Sequence, residues 1–463
     1  MMGLVLLCTY FTWLGLQNFL LPWIYRQQLL PASAVGVLMA GKEVILGAGI
    51  VLLLPRTFRW DWRANAADRF AVAYLLGLAV YLFWGPAFLH STAPLALRAI
   101  SARSLASPAL FYVWGRLCFL SLRELRRFLW FLIGLQTAIA LFGILEWLFL
   151  PATFWSDTVG VGAFLLDVKG MMENQNVVAG LPSNMFQFGI RRLLSTYGDP
   201  LAMGIASVFP LLLCVAWLLR RRGPWRWSIH LPCGMAAAAI GTALVLTIGR
   251  ESIAAAGLGI AVLVWRSGKQ QRFVVSLSLL LLCLAMLPVL WSYVAPTLTF
   301  REASAATHLR FLQTGWERIP TMLAGKGLGE AGGWAFSLAG VESEVGENSY
   351  FELMSQTGII TVALLVGFLI TVAVRSWRAA GAVGDPWISA AFLAAGAHVI
   401  ARSLSGIFSP SLFGVVPLAS FFFFCGAGST TAQRAARRPY LLVRRVRLLW
   451  QEGTAVLPSA SQR

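Results

Sequence analysis

Apolar stretches of about 20 residues recur along the chain, each long enough to cross the hydrocarbon core of a membrane as a helix. Short segments rich in arginine separate them. The composition agrees, because 58% hydrophobic and 12% charged residues lie outside the range of soluble globular domains. The pattern predicts an all-α, polytopic membrane protein.

About 12 transmembrane helices are expected from the length of these stretches. The predicted spans cover residues 3–23, 33–54, 70–90, 106–121, 129–150, 201–219, 229–249, 251–265, 273–293, 351–374, 387–407 and 411–427. The first has no basic segment before it and no evident cleavage site, so we predict a retained span rather than a signal peptide.

The positive charge of the chain, +18 in total, collects in every second connection between the spans. If twelve spans alternate, all of these connections fall on one side. The positive-inside rule makes that side the cytoplasm and places both termini there. Topology therefore explains the charge, and no nucleic-acid partner is expected.

The opposite, extracytoplasmic side receives two long loops, 151–200 and 294–350, and the second is expected to hold short helices between spans nine and ten. Loops of this length are more often functional than connective. Residues 1–432, with both loops, are predicted to form the transmembrane domain. Residues 433–463 are predicted to be a basic cytoplasmic tail that lies on anionic lipid.

Four arginines border the extracytoplasmic side, namely Arg191 and Arg192 before the sixth span, Arg250 after the seventh, and Arg310 in the second loop. Arginine suits bidentate contact with phosphate oxygens and keeps its charge when partly desolvated. Together they predict a site for a lipid pyrophosphate. The alternatives are that Arg191 and Arg192 extend to lipid headgroups and that Arg250 pairs with Glu251.

Glu347 directly precedes Asn348, Ser349 and Tyr350 at the start of the tenth span. A carboxylate here could remove a proton from an attacking hydroxyl. The structural alternative is an acidic residue favoured by the helix dipole, with Asn348 or Ser349 as the N-cap. Asn348 and Tyr350 are predicted to support the acceptor site.

Two further features have both a functional and a structural interpretation. His398 and Arg402 are four residues apart on one helical face, where they either line a cavity or make a structural polar contact. The Gly325–Gly329 run lacks the Gly-Lys-Ser/Thr ending of a phosphate-binding loop and predicts a flexible turn. No cysteine or histidine cluster has the spacing of a metal site.

Four motifs follow one another in a fixed order. They are Arg192 with Gly198-Asp-Pro200, then Gly249-Arg250, then Arg310 with Trp316, Pro320 and the Gly325–Gly329 run, and last Glu347-Asn-Ser-Tyr350 leading to Gly358. This order resembles the O-antigen ligase and Wzy-type O-antigen polymerase superfamily of bacterial membrane glycosyltransferases. By motif, the resemblance runs from about residue 191 to residue 370.

The resemblance implies a GT-C-like fold in the bacterial inner (cytoplasmic) membrane, with the active site on the extracytoplasmic, periplasmic side. The donor would be an oligosaccharide on undecaprenyl pyrophosphate, and the acceptor a hydroxyl of a glycan or of the lipid A core. Arg191, Arg192, Arg250 and Arg310 would bind the pyrophosphate, and Glu347 would act on the acceptor with Arg250 at the reacting centre. No metal and no cofactor is implied.

One position departs from the superfamily pattern, because its ligases usually carry histidine where this chain has Glu347. Its polymerases tolerate more variation there, so we expect polymerisation of surface polysaccharide repeats rather than ligation of O-antigen to lipopolysaccharide core. A transporter or flippase of the lipid-linked glycan is the alternative from another class. That function needs paired charges or broken helices near the middle of the membrane.

Overall fold

The computed structural model describes residues 2–53, 65–118, 120–172, 177–178, 181–182, 184–187, 189–219, 227–267, 303–340, 348–409, 411–414 and 416–433. These residues are mostly helical, which confirms the predicted all-α class. The helices are α1 (Met2–Arg26), α2 (Ala32–Leu53), α3 (Ala66–Phe83), α4 (Gly85–Leu89), α5 (Leu95–Leu117), α6 (Leu122–Phe149), α7 (Val161–Ala163), α8 (Pro200–Leu219), α9 (Trp227–Leu246), α10 (Arg250–Arg266), α11 (Ala303–Glu317), α12 (Ile319–Met322), α13 (Gly333–Ala339), α14 (Ser349–Ala382), α15 (Pro386–Ser405) and α16 (416–433).

Seven of the described helices are long and apolar enough to cross a membrane, and they are α1, α2, α3, α6, α8, α14 and α15. A shorter apolar helix covers His230–Leu246. The chain is therefore a multi-pass protein of a lipid bilayer. The ninth predicted span, 273–293, and nearly all of the basic tail, 434–463, lie outside the described residues, so the number of twelve stays a prediction.

Several helices differ from the boundaries that hydropathy predicted, among them α3 and α5. α3 ends at Phe83, and the chain restarts as α4 with Pro86 in its first turn, where the missing N–H of proline is tolerated. α5 begins at Leu95, whereas the predicted span began at residue 106. The prediction missed the first turns of this helix because they carry Arg98 and Arg103, whose charges are not typical of a span. Arg103 is accommodated by Glu43 of α2, at 2.8 Å.

The centre of the bundle is an aromatic cluster between α1, α5, α6 and α16. The rings of Trp114 and Phe128 each meet Phe423 edge-on, with centroids 5.2 Å apart in both cases. Gly115 of α5 and Gly426 of α16 face each other's helix so closely that a side chain on either would overlap a backbone carbonyl. Small residues of this kind let helices approach in a membrane, where packing drives their association.

The segment between α6 and α8 enters the bundle and does not lie over it. It contains two π-helical turns, Phe154–Val159 and Phe164–Val168, and two short antiparallel hairpins. Ser195 donates to the carbonyl of Ile139 in α6 at 2.6 Å, and Thr196 donates to Gly15 in α1 at 2.7 Å. Both acceptors belong to the interiors of apolar helices, so this loop is part of the packed core.

Candidate functional site

The start of α8 carries the first predicted motif, Gly198-Asp-Pro200. Gly198 has a φ of +61°, a conformation that glycine adopts without strain. Asp199 caps α8, since its carboxylate accepts the N–H groups of Leu201 at 3.0 Å and Ala202 at 3.3 Å. The Asn184 side chain also donates to Asp199 at 2.8 Å, so this carboxylate is held in place.

Arg192 is 6% exposed and joins the segment before α8 to the connection between α9 and α10. Its Nε donates to the carbonyl oxygen of Thr247 at 2.7 Å, and Nη1 donates to that of Asn184 at 3.2 Å. Burial lowers the pKa of Arg192, Asp199 opposes this shift, and Arg250 adds to it. The charges of Arg192 and Arg250 therefore act on each other across the Thr247–Gly249 connection.

Arg191 points to a different partner from Arg192. Its guanidinium forms an ion pair with the fully buried carboxylate of Glu146 and donates to the carbonyl of Leu150 at the end of α6. Trp155 donates to the same carboxylate oxygen at 2.8 Å. Through these contacts Arg191 joins the loop to α6. Its predicted role in pyrophosphate binding stays a prediction.

Arg402 of α15 is 2% exposed and forms an ion pair with Glu251 at the start of α10. The alternative interpretation paired Glu251 with Arg250, whereas the observed partner of this carboxylate is Arg402. His398, one turn before Arg402, is fully buried against Phe421 with ring centroids 4.2 Å apart. Within the described ranges neither of its ring nitrogens has a hydrogen-bond partner, so Arg402 makes the structural polar contact and His398 packs among aromatic rings.

The Gly-rich run fits against a break in α14. Gly358 has φ 74° and ψ 175° inside this helix, which leaves backbone groups on both sides without their helical partners. The loop supplies replacements, since Lys326 N–H donates to Ser355 O at 2.7 Å and Gly327 N–H donates to Gln356 O at 3.1 Å. The run forms a turn, but these hydrogen bonds fix it to α14, whereas the sequence predicted a flexible turn.

Side chains of α14 complete the same contact, and the sequence patterns did not single them out. Gln356 Oε1 accepts the N–H of Gly329 at 3.1 Å, and Glu352 Oε1 accepts that of Gly333 at 3.3 Å. Both side chains are buried. Glu352 and Gln356 follow Glu347 within the last predicted motif and are four residues apart. This helical spacing was the signal that could have placed both on one face of α14.

Glu330 anchors the other side of the loop to the connection between α4 and α5. Its Oε1 accepts from Ser91 Oγ, Thr92 N and Ala93 N, each at 2.7 Å. Burial alone would raise the pKa of Glu330, but the hydrogen bonds from Ser91, Ala93 and Thr92 lower it on balance. The loop is thereby held between α14 and the start of α5.

The start of α14 confirms one structural alternative for the last motif. Asn348 is the N-cap, because its Oδ1 accepts the N–H groups of Tyr350 at 2.9 Å and Phe351 at 3.0 Å. Its Nδ2 donates to the carbonyl of Ile407 at 2.7 Å, and Tyr350 Oη donates to that of Ser403 at 2.7 Å. Both predicted support residues thus join α14 to the end of α15.

The contacts of the described residues do not place Arg310 beside Arg192 and Arg250. Glu347 lies outside the described residues. Arg310 is exposed on α11, and α11 packs on α12 and, through Gly315, against Phe351 of α14. The convergence of Arg310 and Glu347 with Arg192 and Arg250 stays a prediction.

A second group of charges joins elements that the sequence patterns left apart. Lys42 of α2 lies 3.5 Å from Glu43, and Arg103 of α5 lies 2.8 Å from the same oxygen. Lys169, after the second π-helical turn, is close enough for its charge to interact with Lys42, Arg103 and Asp199. The sequence showed each charge but not that α2, α5 and the loop meet.

For the part of the chain that the structure describes, no group of three or more His, Cys, Asp or Glu side chains lies close enough together to hold a metal ion. No model of a known protein family and no curated protein matches this chain.

Proposed function

We propose that the chain is a membrane glycosyltransferase that transfers a glycan from an undecaprenyl-pyrophosphate-type donor to an acceptor sugar hydroxyl. The observation that carries the proposal is the buried Arg192, which acts on Arg250 across the α9–α10 connection. Arg192 uses part of its hydrogen-bonding capacity on the backbone carbonyls of Thr247 and Asn184, and two permanent cations whose charges act on each other favour a bound polyanion. The motif order that resembles the O-antigen ligase and polymerase superfamily agrees with this chemistry.

In the proposed reaction the acceptor oxygen attacks the anomeric carbon, and the bond from that carbon to the pyrophosphate oxygen breaks. The departing pyrophosphate takes the electron pair, and Arg192 and Arg250 stabilise its charge. Glu347 takes the proton of the attacking hydroxyl. Arg310 adds its charge to the donor site, whereas Arg191 supports the loop through Glu146.

Polymerisation of surface polysaccharide repeats is the preferred form of this function, in a GT-C-like scaffold of about 12 spans. In this arrangement both termini are cytoplasmic and the site opens on the extracytoplasmic side of the bacterial inner membrane. Ligation of O-antigen to the lipid A core is the second candidate. It is less favoured because Glu347 stands where such ligases usually carry histidine.

The test uses Arg250→Ala, Arg192→Lys and Glu347→Gln in cells that lack the native protein. The expected result is short or absent glycan and accumulated lipid-linked precursor, at equal protein level in the membrane. Arg266→Ala is the matched control, since Arg266 ends the same helix that Arg250 begins and stacks on Trp377 at 5.8 Å. Normal glycan in all three variants would reject the proposal.

The nature of the accumulated product separates the two enzymatic candidates. Loss of a polymerase leaves single repeat units on the carrier, whereas loss of a ligase leaves full-length polymer unattached. A flippase is separated by a different measurement, the consumption of lipid-linked donor by purified protein in detergent, where there are no two sides to transport between. Donor turnover there supports the enzyme and excludes transport as the sole activity.

A further inference from the structure

Two cations from separate helices meet at one carboxylate, and a third cation follows a segment that packs against one of these helices. Lys42 is 8% exposed in the interior of α2, and its Nζ lies 3.5 Å from Glu43 Oε1. Arg103 approaches the same oxygen from α5, at 2.8 Å. Lys169 comes from the loop, directly after the π-helical turn Phe164–Val168, whose Phe164 packs against Val35 of α2. The charges of Lys42 and Arg103 act on its ammonium group.

The charges of this group do not balance. Lys42, Arg103 and Lys169 contribute three positive charges and Glu43 one negative charge, which leaves a net charge of +2. Asp199 acts on Lys169, but its oxygens already accept from Asn184 and from the first turn of α8. The Lys42 side chain is 10% exposed and that of Arg103 33%, and like charges gathered in such a partly buried group are unfavourable unless a counter-charge joins them.

The hydrogen bonds of the group are also incomplete. Among the described residues, Arg103 Nε and Glu43 Oε2 are buried without a hydrogen-bond partner. Lys42 Nζ uses one of its three donors on the carbonyl of Met39, at 2.8 Å. Donors therefore remain for a ligand that brings acceptor oxygens.

Aromatic rings close two sides of the group. The Arg103 guanidinium lies 5.6 Å from the Trp334 ring of α13, and the Lys169 ammonium lies 5.4 Å from the Phe164 ring. Burial, followed by the charges of Lys42 and Arg103, lowers the pKa of Lys169 to about 8, while Asp199 opposes this. An anion in the group would reverse the effect of the neighbouring cations.

The use of lysine here is unusual for this chain. Only four of its 37 basic residues are lysines, and Lys42 and Lys169 are two of them. Lysines of a membrane protein normally serve topology from short loops, yet Lys42 lies inside an apolar helix and Lys169 beside it. A charged residue inside a span is by default a functional candidate.

We propose that Lys42, Arg103 and Lys169 form a second anion site, made of other residues than the Arg192–Arg250 group, and that it binds a phosphate group. A phosphate dianion matches the net charge of +2 and offers acceptor oxygens to the arginine fork and to both ammonium groups. This site stands on its own contacts and does not depend on the proposed glycosyl transfer.

The test uses the full chain in nanodiscs of neutral lipid and two probes, inorganic phosphate and a polyprenyl phosphate. Binding is measured by calorimetry and by the shift in the thermal unfolding midpoint. We expect Lys169→Met and Arg103→Gln each to weaken binding about tenfold or more, the effect of losing one charge-assisted contact. Lys169→Arg, which keeps the charge, should retain most of the binding.

Arg266→Gln is the matched control, because it removes a cation that stacks on Trp377 at the end of α10, outside both groups, and should leave this binding in place. Lys169 lies outside the spanning helices, so its variants are expected to fold, and unchanged helical circular dichroism checks this. Binding of inorganic phosphate alone identifies a free anion as the ligand, and binding of the polyprenyl phosphate alone identifies a lipid-borne one. Binding of neither probe, or equal binding by wild type and Lys169→Met, would overturn the proposal.

Discussion

The backbone N–H of Ile359 donates to the carbonyl oxygen of Leu323 at 3.0 Å, immediately after the break in α14 at Gly358. The loop before α14 thus supplies an acceptor that the helix itself lacks at this point. A broken helix inside a membrane protein is stable only where other groups satisfy its backbone. The loop and the break therefore depend on each other.

Gly358→Ala should destabilise the protein strongly. Its φ of 74° and ψ of 175° are accessible almost only to glycine, and a Cβ would lie 2.5 Å from Leu323 O. We expect the free energy of unfolding to fall by about 3 kcal/mol or more from the combined strain and overlap. Unfolding by titration with a denaturing detergent in mixed micelles measures it.

Gly381→Ala is the control for this change in the same helix. Gly381 is exposed, and nothing lies within 4 Å of a Cβ placed on it. Alanine there should leave stability unchanged or raise it by up to about 1 kcal/mol, since glycine is the poorer helix former. Equal effects of the two substitutions would contradict the described break.

Arg402 and Glu251 should stabilise the bundle only while both partners of the ion pair are present. Arg402→Met leaves the half-buried Glu251 carboxylate without its partner, and we expect a loss of about 3–5 kcal/mol in the free energy of unfolding. The double variant Arg402→Met, Glu251→Gln should regain most of that loss. A double variant no more stable than the single one would assign Arg402 another role.

The sequence allowed prediction of the membrane class, of most helices near their observed positions and of an N-cap at Asn348 or Ser349, of which Asn348 is the observed one. Hydropathy could not predict α5 from Leu95, because Arg103 is compensated by a carboxylate on a different helix. Periodicity within one helix could not reveal the break at Gly358 either. The replacement hydrogen bonds come from residues about 30 positions earlier in the chain.

For the candidate site, local patterns singled out Arg192 and Arg250 as candidates but not how Arg192 is held. The partners of Arg192 are backbone carbonyls of Thr247 and Asn184, which any residue type would present. The group around Lys169 was missed for a related reason. Three elements distant in sequence supply it, and a single sequence contains no measure of their proximity.

Acidification should release the loop around Glu330 from the α4–α5 connection. The folded pKa of Glu330 is lowered, so its contribution to stability is complete above the ordinary carboxyl pKa of about 4.3 and is lost as pH falls through the lower folded pKa. Hydrogen-exchange protection of the Thr92 and Ala93 amides should therefore decrease below about pH 4.

Glu330→Gln should produce the same loss of protection already at neutral pH, because the amide is a weaker acceptor than the carboxylate. Glu317→Gln replaces an exposed carboxylate on α11 and should change nothing at the two amides. Protection that stays constant from pH 7 to pH 3 in the wild type would show that the charge of Glu330 does not hold the loop.

The ammonium group of Lys169 should react with acylating reagents at lower pH than an ordinary lysine. Its folded pKa of about 8 lies below the ordinary value of about 10.4, so the folded state binds fewer protons than the unfolded state between these values. Stability should therefore rise with pH across that window. Competitive labelling gives the midpoint, with the exposed Lys326 as the comparison. Arg103→Gln should raise the midpoint and Asp199→Asn should lower it, whereas a wild-type midpoint near 10.4 would contradict the cation group.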